Sequence, residues 1–147
     1  MAYLYALLVI GLDQLSKFLV YGTAARSIIG NLLWFESTLN TGVAFSMFSG
    51  KSFVFVIVAC VASAVLFYLI YTKKFLKRKS EKISLALILG GTISNAIDRI
   101  IFGGVRDFIY LKFINFAIFN VADMAITIGA ILLCVVIIFS KDKKIDD

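Results

Sequence analysis

Five acidic residues stand apart from the charged link and tail of this chain: Asp13, Glu36, Asp98, Asp107 and Asp123. The chain has no histidine. Ser-His-Asp and Cys-His nucleophile systems and most zinc sites are therefore excluded. Its two cysteines, Cys60 and Cys134, lie inside apolar runs. A thiol there is a small packed hydrophobe and is not poised to ionise. Acid–base chemistry falls to the carboxylates, and Asp107 and Asp123 are the obvious pair. Two carboxylates held close cannot easily both ionise, so they share a proton. One can then activate water while the other polarises a carbonyl or protonates a leaving amine. That chemistry calls for no metal and no cofactor.

Helical spacing names companions for these acids. Asp13 and Lys17 stand four residues apart, on one helix face, and can pair. Asn95 and Arg99 have the same spacing and could share hydrogen-bond partners, with Asp98 on the adjoining face. Asn120 precedes Asp123 by three residues, and Thr127 follows it by four. Arg99 keeps its proton at any working pH, so its role is support.

The elements that carry these residues are apolar. Hydrophobic residues make up 61 % of the 147 positions and charged residues 16 %, against roughly 25 % charged in soluble domains. Mean hydropathy is +0.99. The chain is expected to be a small integral membrane protein of one four-span domain, residues 1–147. The expected spans are about 3–21, 52–71, 83–102 and 116–139, each near the roughly 20 helical residues that cross a bilayer core. The first span lacks a basic leading region and is broken by Asp13 and Lys17, so it is expected to be retained, not cleaved as a signal peptide.

The formal charge of +6 is distributed for a membrane surface and not for nucleic acid. Lys73, Lys74, Lys77, Arg78, Lys79 and Lys82 cluster between spans two and three, and Lys141, Lys143 and Lys144 follow span four. By the excess of basic residues on the inner side, both termini and this link are expected to be cytoplasmic. The outer loop, residues 22–51, and the turn around Gly103–Asn115 then face outward. The loop holds strand-like pieces, Ile28-Ile29 and Leu32–Phe35, broken by Gly30-Asn31, and Trp34 and Phe35 suit the headgroup level. Asp98 and Asp123 are expected about 6 Å below the outer surface, and Asp13 about 12 Å below it. An ionised side chain at the bilayer centre costs roughly 2.5–3.5 kcal/mol, so such a layer of acids is a functional hypothesis by default.

Five short blocks, in order, carry a resemblance. Asp13-Gln14-Leu15-Ser16-Lys17 resembles a D-Q-x-[ST]-K block, and Asn40-Thr41-Gly42-Val43-Ala44-Phe45 an N-x-G-x-A-F block. Residues Gly90 to Arg99 resemble G-G-A-x-G-N-x-x-D-R. Val105-Arg106-Asp107-Phe108 and Phe119-Asn120-Val121-Ala122-Asp123 resemble V-x-D-F and F-N-x-A-D. Together they resemble the type II signal peptidases, the bacterial lipoprotein signal peptidases. The resemblance implies an all-α membrane protein with four transmembrane helices. A small extracytoplasmic β-platform and a short helix would lie between spans one and two. It implies an aspartic endopeptidase of the bacterial cytoplasmic membrane. Such an enzyme removes the signal peptide from diacylglyceryl-modified prolipoproteins, just before the lipidated cysteine. Asp107 and Asp123 would be catalytic. Asp13, Lys17, Asn40, Gly42, Asn95, Asp98, Arg99, Asn120 and Ala122 would bind substrate or support the site. Membrane lipid and globomycin-type inhibitors would be partners.

Three positions depart from the pattern. Ser94 stands where the family usually has Gly, Thr92 where it has Ala, and Arg106 at a position more often apolar. Ser94 and Thr92 add bulk on a helix whose packing favours small residues. The Arg106 charge would lower the pKa of Asp107 or bind a lipid phosphate. Two rival readings are a four-span cation transporter built on Asp13 and a non-catalytic assembly subunit. Lys17 would neutralise Asp13 in the first, and the second leaves Asp107 unexplained.

Overall fold

The computed structural model describes residues 2–42, 52–72 and 78–141. Lys73, Lys74, Lys77, Lys143 and Lys144, and Val43-Ala44-Phe45 of the second block, lie outside the described residues. So does any short helix in 43–51. Among the described residues, four helices are long and apolar enough to cross a membrane: α1 (Ala2–Val20), α2 (Ser52–Thr72), α3 (Lys79–Phe102) and α4 (Val121–Lys141). Three strands, β1 (Arg26–Ile29), β2 (Leu33–Asn40) and β3 (Val105–Leu111), form an antiparallel sheet in that order.

The central helix is α3, which packs against α1, α2 and α4. Half-burial of α3 contrasts with the mostly exposed α2, which carries no charge and shows large apolar side chains such as Phe53 and Tyr68 outward. With acyl chains as solvent, burial of apolar area does not drive these helices together, and close backbone approach matters more. A Cβ added at Gly91 would sit 2.5 Å from the Ala122 carbonyl oxygen, and one at Gly129 would sit 2.8 Å from that of Ser84. These glycines let α4 lie against α3. Cys60 and Cys134, expected to be packed, are on exposed faces of α2 and α4, where lipid can cover them.

Two boundaries differ from expectation and bear on the site. Residues 116–120 were expected to begin the fourth span, because Phe116 to Phe119 are mostly apolar. They are not helical. Phe119 forms an isolated bridge with Ile109, with N–H···O bonds of 2.8 and 3.0 Å between them. The outer turn expected around Gly103–Asn115 is mostly strand. Val105–Leu111 is rich in β-branched and aromatic residues and pairs with β2, Trp34 opposite Tyr110 and Thr38 opposite Asp107. The platform thus draws its third strand from between α3 and α4, as well as two from between α1 and α2. Gly103 ends α3 in the left-handed region at φ 72°, where glycine carries no Cβ penalty.

Candidate active site

Asp107 is on β3, two residues into the strand and 2 % exposed. It faces Thr38 across the ladder, so Asn40, two residues further along β2, is its diagonal neighbour on the same face. Asn40 Nδ2 donates to Asp107 Oδ2 at 3.1 Å, and Asn120 Nδ2 donates to Oδ1 at 2.6 Å. Both oxygens therefore accept from neutral amides. Burial raises the Asp107 carboxyl from its ordinary 3.8, and the charge of Asp123 raises it further, to about 6; the two amide bonds pull the other way.

Asp123 is placed by the start of α4. Asn120 caps the helix: its Oδ1 accepts the Asp123 amide at 2.9 Å, and the Asn120 amide donates back to Asp123 Oδ2 at 3.2 Å. This is the reciprocal capping box, with Asn and Asp in the two roles. Asn95 Nδ2 on α3 donates to Asp123 Oδ1 at 2.8 Å. Because α4 begins at Val121 and not near 116, Asp123 sits in its first turn, about 3 Å in by helix rise. Asn120 thus touches both carboxylates: its side-chain amide donates to Asp107 and its backbone N–H to Asp123.

The two aspartates line one cavity of ≈ 440 Å³. Asn40 and Val105 border it from the sheet, Arg99 and Thr92 from α3, Ala59 from α2, and Ile126 and Thr127 from α4. Arg99 Nη2 donates to the Gly42 carbonyl at 3.0 Å, and the guanidinium lies 5.4 Å from the Phe55 ring. Gly42 in turn gives its N–H to Asn40 Oδ1 at 3.0 Å. Asn95 and Arg99 do not share partners as their spacing suggested. Asn95 bonds inward to Lys17, Asn120 and Asp123. Among the described residues, no group of three His, Cys, Asp or Glu side chains could hold a metal ion.

Behind this cavity lies a second cluster. Asp13, Lys17 and Asp98 are fully buried. Lys17 Nζ is 2.7 Å from Asp13 Oδ2 and 3.2 Å from Asp98 Oδ2, and it donates to Asn95 Oδ1 at 3.0 Å. Asp13 Oδ1 accepts the Ala122 amide at 2.8 Å, so a carboxylate from α1 meets the N-terminal turn of α4. Asp98 accepts from Gln14, from the Arg106 amide and from the Arg106 guanidinium.

The structure thus brings Asp107, Asp123, Asn40, Asn95 and Asn120 together, with Arg99 on the cavity wall and Gly42 bonded to Arg99 and Asn40. Asp13, Lys17, Asp98 and Ala122 stand behind and reach the carboxylates through Asn95 and the start of α4. The departures also find places. Ser94 Oγ donates to Asp13 Oδ2 at 2.7 Å and accepts from Gln14 at 3.0 Å, so a hydroxyl fills space that a glycine would leave. Thr92 borders the cavity. Arg106 does not act on Asp107 as expected: neighbouring side chains on a strand point to opposite faces, and its guanidinium pairs with Asp98 at 2.8 Å. Gln14 was passed over in the sequence, although it lies beside Asp13 in the first block; its spacing gave no sign that it would bridge Asp98 and Arg106.

The family model for signal peptidase (SPase) II matches residues 5–139. The chain is 41 % identical to a lipoprotein signal peptidase of Shouchella clausii, over 98 % of this chain and 97 % of the relative. It is 39 % identical to one of Lactobacillus johnsonii, over 94 % of this chain and 92 % of that protein. A solved bacterial membrane enzyme, determined in meso at 2.3 Å, superposes with a TM-score of 0.85 at 30 % identity. That match covers 99 % of this chain and 91 % of the other.

Proposed function

This chain belongs to the signal peptidase II family, and on that premise we propose that it is an aspartic endopeptidase. It removes the signal peptide from diacylglyceryl-modified prolipoproteins, just before the lipidated cysteine. The family makes it a membrane protease and displaces the transporter and assembly readings. The observation that carries the finer proposal is the pairing of Asp107 and Asp123 in one cavity. Each accepts from amide donors, and among the described residues neither has a cation at ion-pair distance. The raised pKa of Asp107, with Asp123 among its causes, is what a shared proton needs.

In this reading the ionised carboxylate takes a proton from water as the water oxygen bonds to the scissile carbonyl carbon. The protonated carboxyl gives its proton to the carbonyl oxygen. The tetrahedral intermediate then collapses. The C–N bond breaks, the amine of the lipidated cysteine leaves with a proton from the pair, and the signal peptide gains a new carboxyl end. Asn40, Asn95 and Asn120 hold the two groups without fixing which one carries the proton. Arg99 keeps the Asn40–Gly42 segment in place through the Gly42 carbonyl.

The cavity has walls from α2 and α4, so the signal peptide would enter sideways from lipid with its acyl chains still anchored. Each buried methylene contributes roughly 0.8 kcal/mol to that anchoring. The basic residues at the opposite end of the bundle, Arg78, Lys79 and Lys82 among them, would hold the termini on the cytoplasmic side of a bacterial inner membrane. The site would then open at the outer face. Globomycin-type peptides would compete for the cavity.

The test compares one prolipoprotein peptide with and without its diacylglyceryl group, at matched concentration in the same bilayer with purified protein. Cleavage of the lipidated form alone is expected. Equal cleavage of both forms would overturn this placement of the substrate.

A further inference from the structure

Arg106 is 7 % exposed, and its polar contacts all turn away from its neighbour Asp107. Its Nη2 donates to Asp98 Oδ1 at 2.8 Å and to Gln14 Oε1 at 2.7 Å. Its Nε donates to Asp98 Oδ2 at 3.2 Å, and its backbone N–H reaches the same oxygen at 2.9 Å. The guanidinium lies 4.2 Å from the centre of the Phe102 ring. One residue near the start of β3 is thus tied to α1 and α3. The turn that joins α3 to β3 is Gly103-Gly104, which supplies little stiffness of its own. The position of β3 relative to α3 needs a second constraint.

We propose that Arg106 is a positioning residue for the reaction: its planar fork grips Asp98 and Gln14, fixes the start of β3 against α3 and α1, and so sets the Asp107 carboxyl against Asp123. A forked guanidinium holds a carboxylate in a fixed plane, which an ammonium does not. The grip is also electrically closed. Asp13 and Lys17 on α1, Asp98 on α3 and Arg106 on β3 make two negative and two positive charges. Across the strand, Asp107, Asp123 on α4 and Arg99 on α3 face the cavity. Without the guanidinium, Asp98 shares Lys17 with Asp13, and the start of β3 is held to α3 by the Arg106 backbone N–H alone, with the β2 ladder and the Ile109–Phe119 bridge holding the rest of the strand. The proposal rests on Asp107 being one of the reacting pair.

The experiment uses the full chain in a bilayer, the diacylated peptide, and kcat and KM measured across pH per folded molecule. It compares wild type, Arg106→Met, Arg106→Lys, Gln14→Leu and Asp107→Asn. Arg106→Met is expected to lower kcat about tenfold or more with KM changed by less than about twofold, the signature of lost transition-state positioning. The limb of the pH profile set by Asp107, whose carboxyl is held above its ordinary range by burial and by Asp123, moves to lower pH as the released carboxyl gains water. Arg106→Lys falls between the two, and Gln14→Leu shifts both readouts the same way by less. A loss of folded protein alone would leave the limb in place. Wild-type kcat and an unmoved limb in Arg106→Met overturn the proposal; should that variant not fold, the same result in Arg106→Lys and Gln14→Leu overturns it. Wild-type cleavage by Asp107→Asn would instead overturn the assignment of the pair.

Discussion

Asp98 and Asp107 flank the same short turn and live in opposite surroundings. Asp98 is fully buried between two cations, Lys17 at 3.2 Å and Arg106 at 2.8 Å. Asp107 is nearly as buried but accepts from the neutral amides of Asn40 and Asn120 and, among the described residues, has no cation at ion-pair distance. A buried carboxylate with cations on both sides has no reason to take up a proton, and breaking its pairs costs stability. A buried carboxylate beside another carboxylate and neutral donors is poised to exchange one. On the proposed function, the same side-chain type serves as a girder behind the sheet and as a reagent in front of it. The partner set decides which, and depth does not. Asn95 joins the two, accepting from Lys17 and donating to Asp123.

The girder should be the more fragile region. Lys17→Met leaves Asp13 without its cation and Asp98 with Arg106 alone. Removing one partner of a buried ion pair costs about 3–5 kcal/mol. Loss of folded protein, followed by thermal unfolding in a fixed detergent, is the expected outcome. A wild-type unfolding temperature would show that the rear pairs contribute little.

The reagent side should show a pH dependence. The folded-state pKa of Asp107 is about 6, above its ordinary 3.8, so the folded protein binds that proton more tightly than the unfolded one. The resulting stability is fully present below about pH 4 and is lost as pH rises through about 6, a change of about 3 kcal/mol. Unfolding followed between pH 4 and 8 should show this slope in the wild type and a flatter one in Asp107→Asn. The same slope in both would place the titrating group elsewhere.

A smaller effect should come from the link between the carboxylates. Asn120→Ala removes a helix cap, worth about 1–2 kcal/mol, and also the 2.6 Å bond to Asp107. Activity per folded molecule should fall with little change in KM. An effect on stability alone would make Asn120 a cap and nothing more.

The sequence showed the four spans because apolar runs of bilayer length have few other uses. It misplaced the start of α4, since Phe116 to Phe119 look alike as helix or strand by composition. The decisive signal was Asn120 with Asp123 three residues on, a capping pattern that marks the first turn. Asp107 stands out in the sequence as a candidate acid while its strand reads as a turn; the alternation in Val105–Leu111 is present, but its partner β2 is far away in the chain. Arg106 was the hardest to read. Adjacency suggested that it acts on Asp107, whereas strand geometry sends it to Asp98. Contacts between α1, α3 and β3 depend on how the helices cross, which spacing within one segment does not reveal.

The most direct test makes one isosteric change on each side of β3. Asp107→Asn, Asp123→Asn and Asp98→Asn are purified in the same bilayer, and cleavage of a diacylglyceryl prolipoprotein peptide is measured per folded molecule. Asp107→Asn and Asp123→Asn should fold and lose about a thousandfold or more in kcat, as expected for groups that act as a unit. Asp98→Asn should fold poorly, yet what folds should still cleave. Near wild-type turnover in either front variant, or complete loss of turnover in well-folded Asp98→Asn, would contradict the division between reagent and girder.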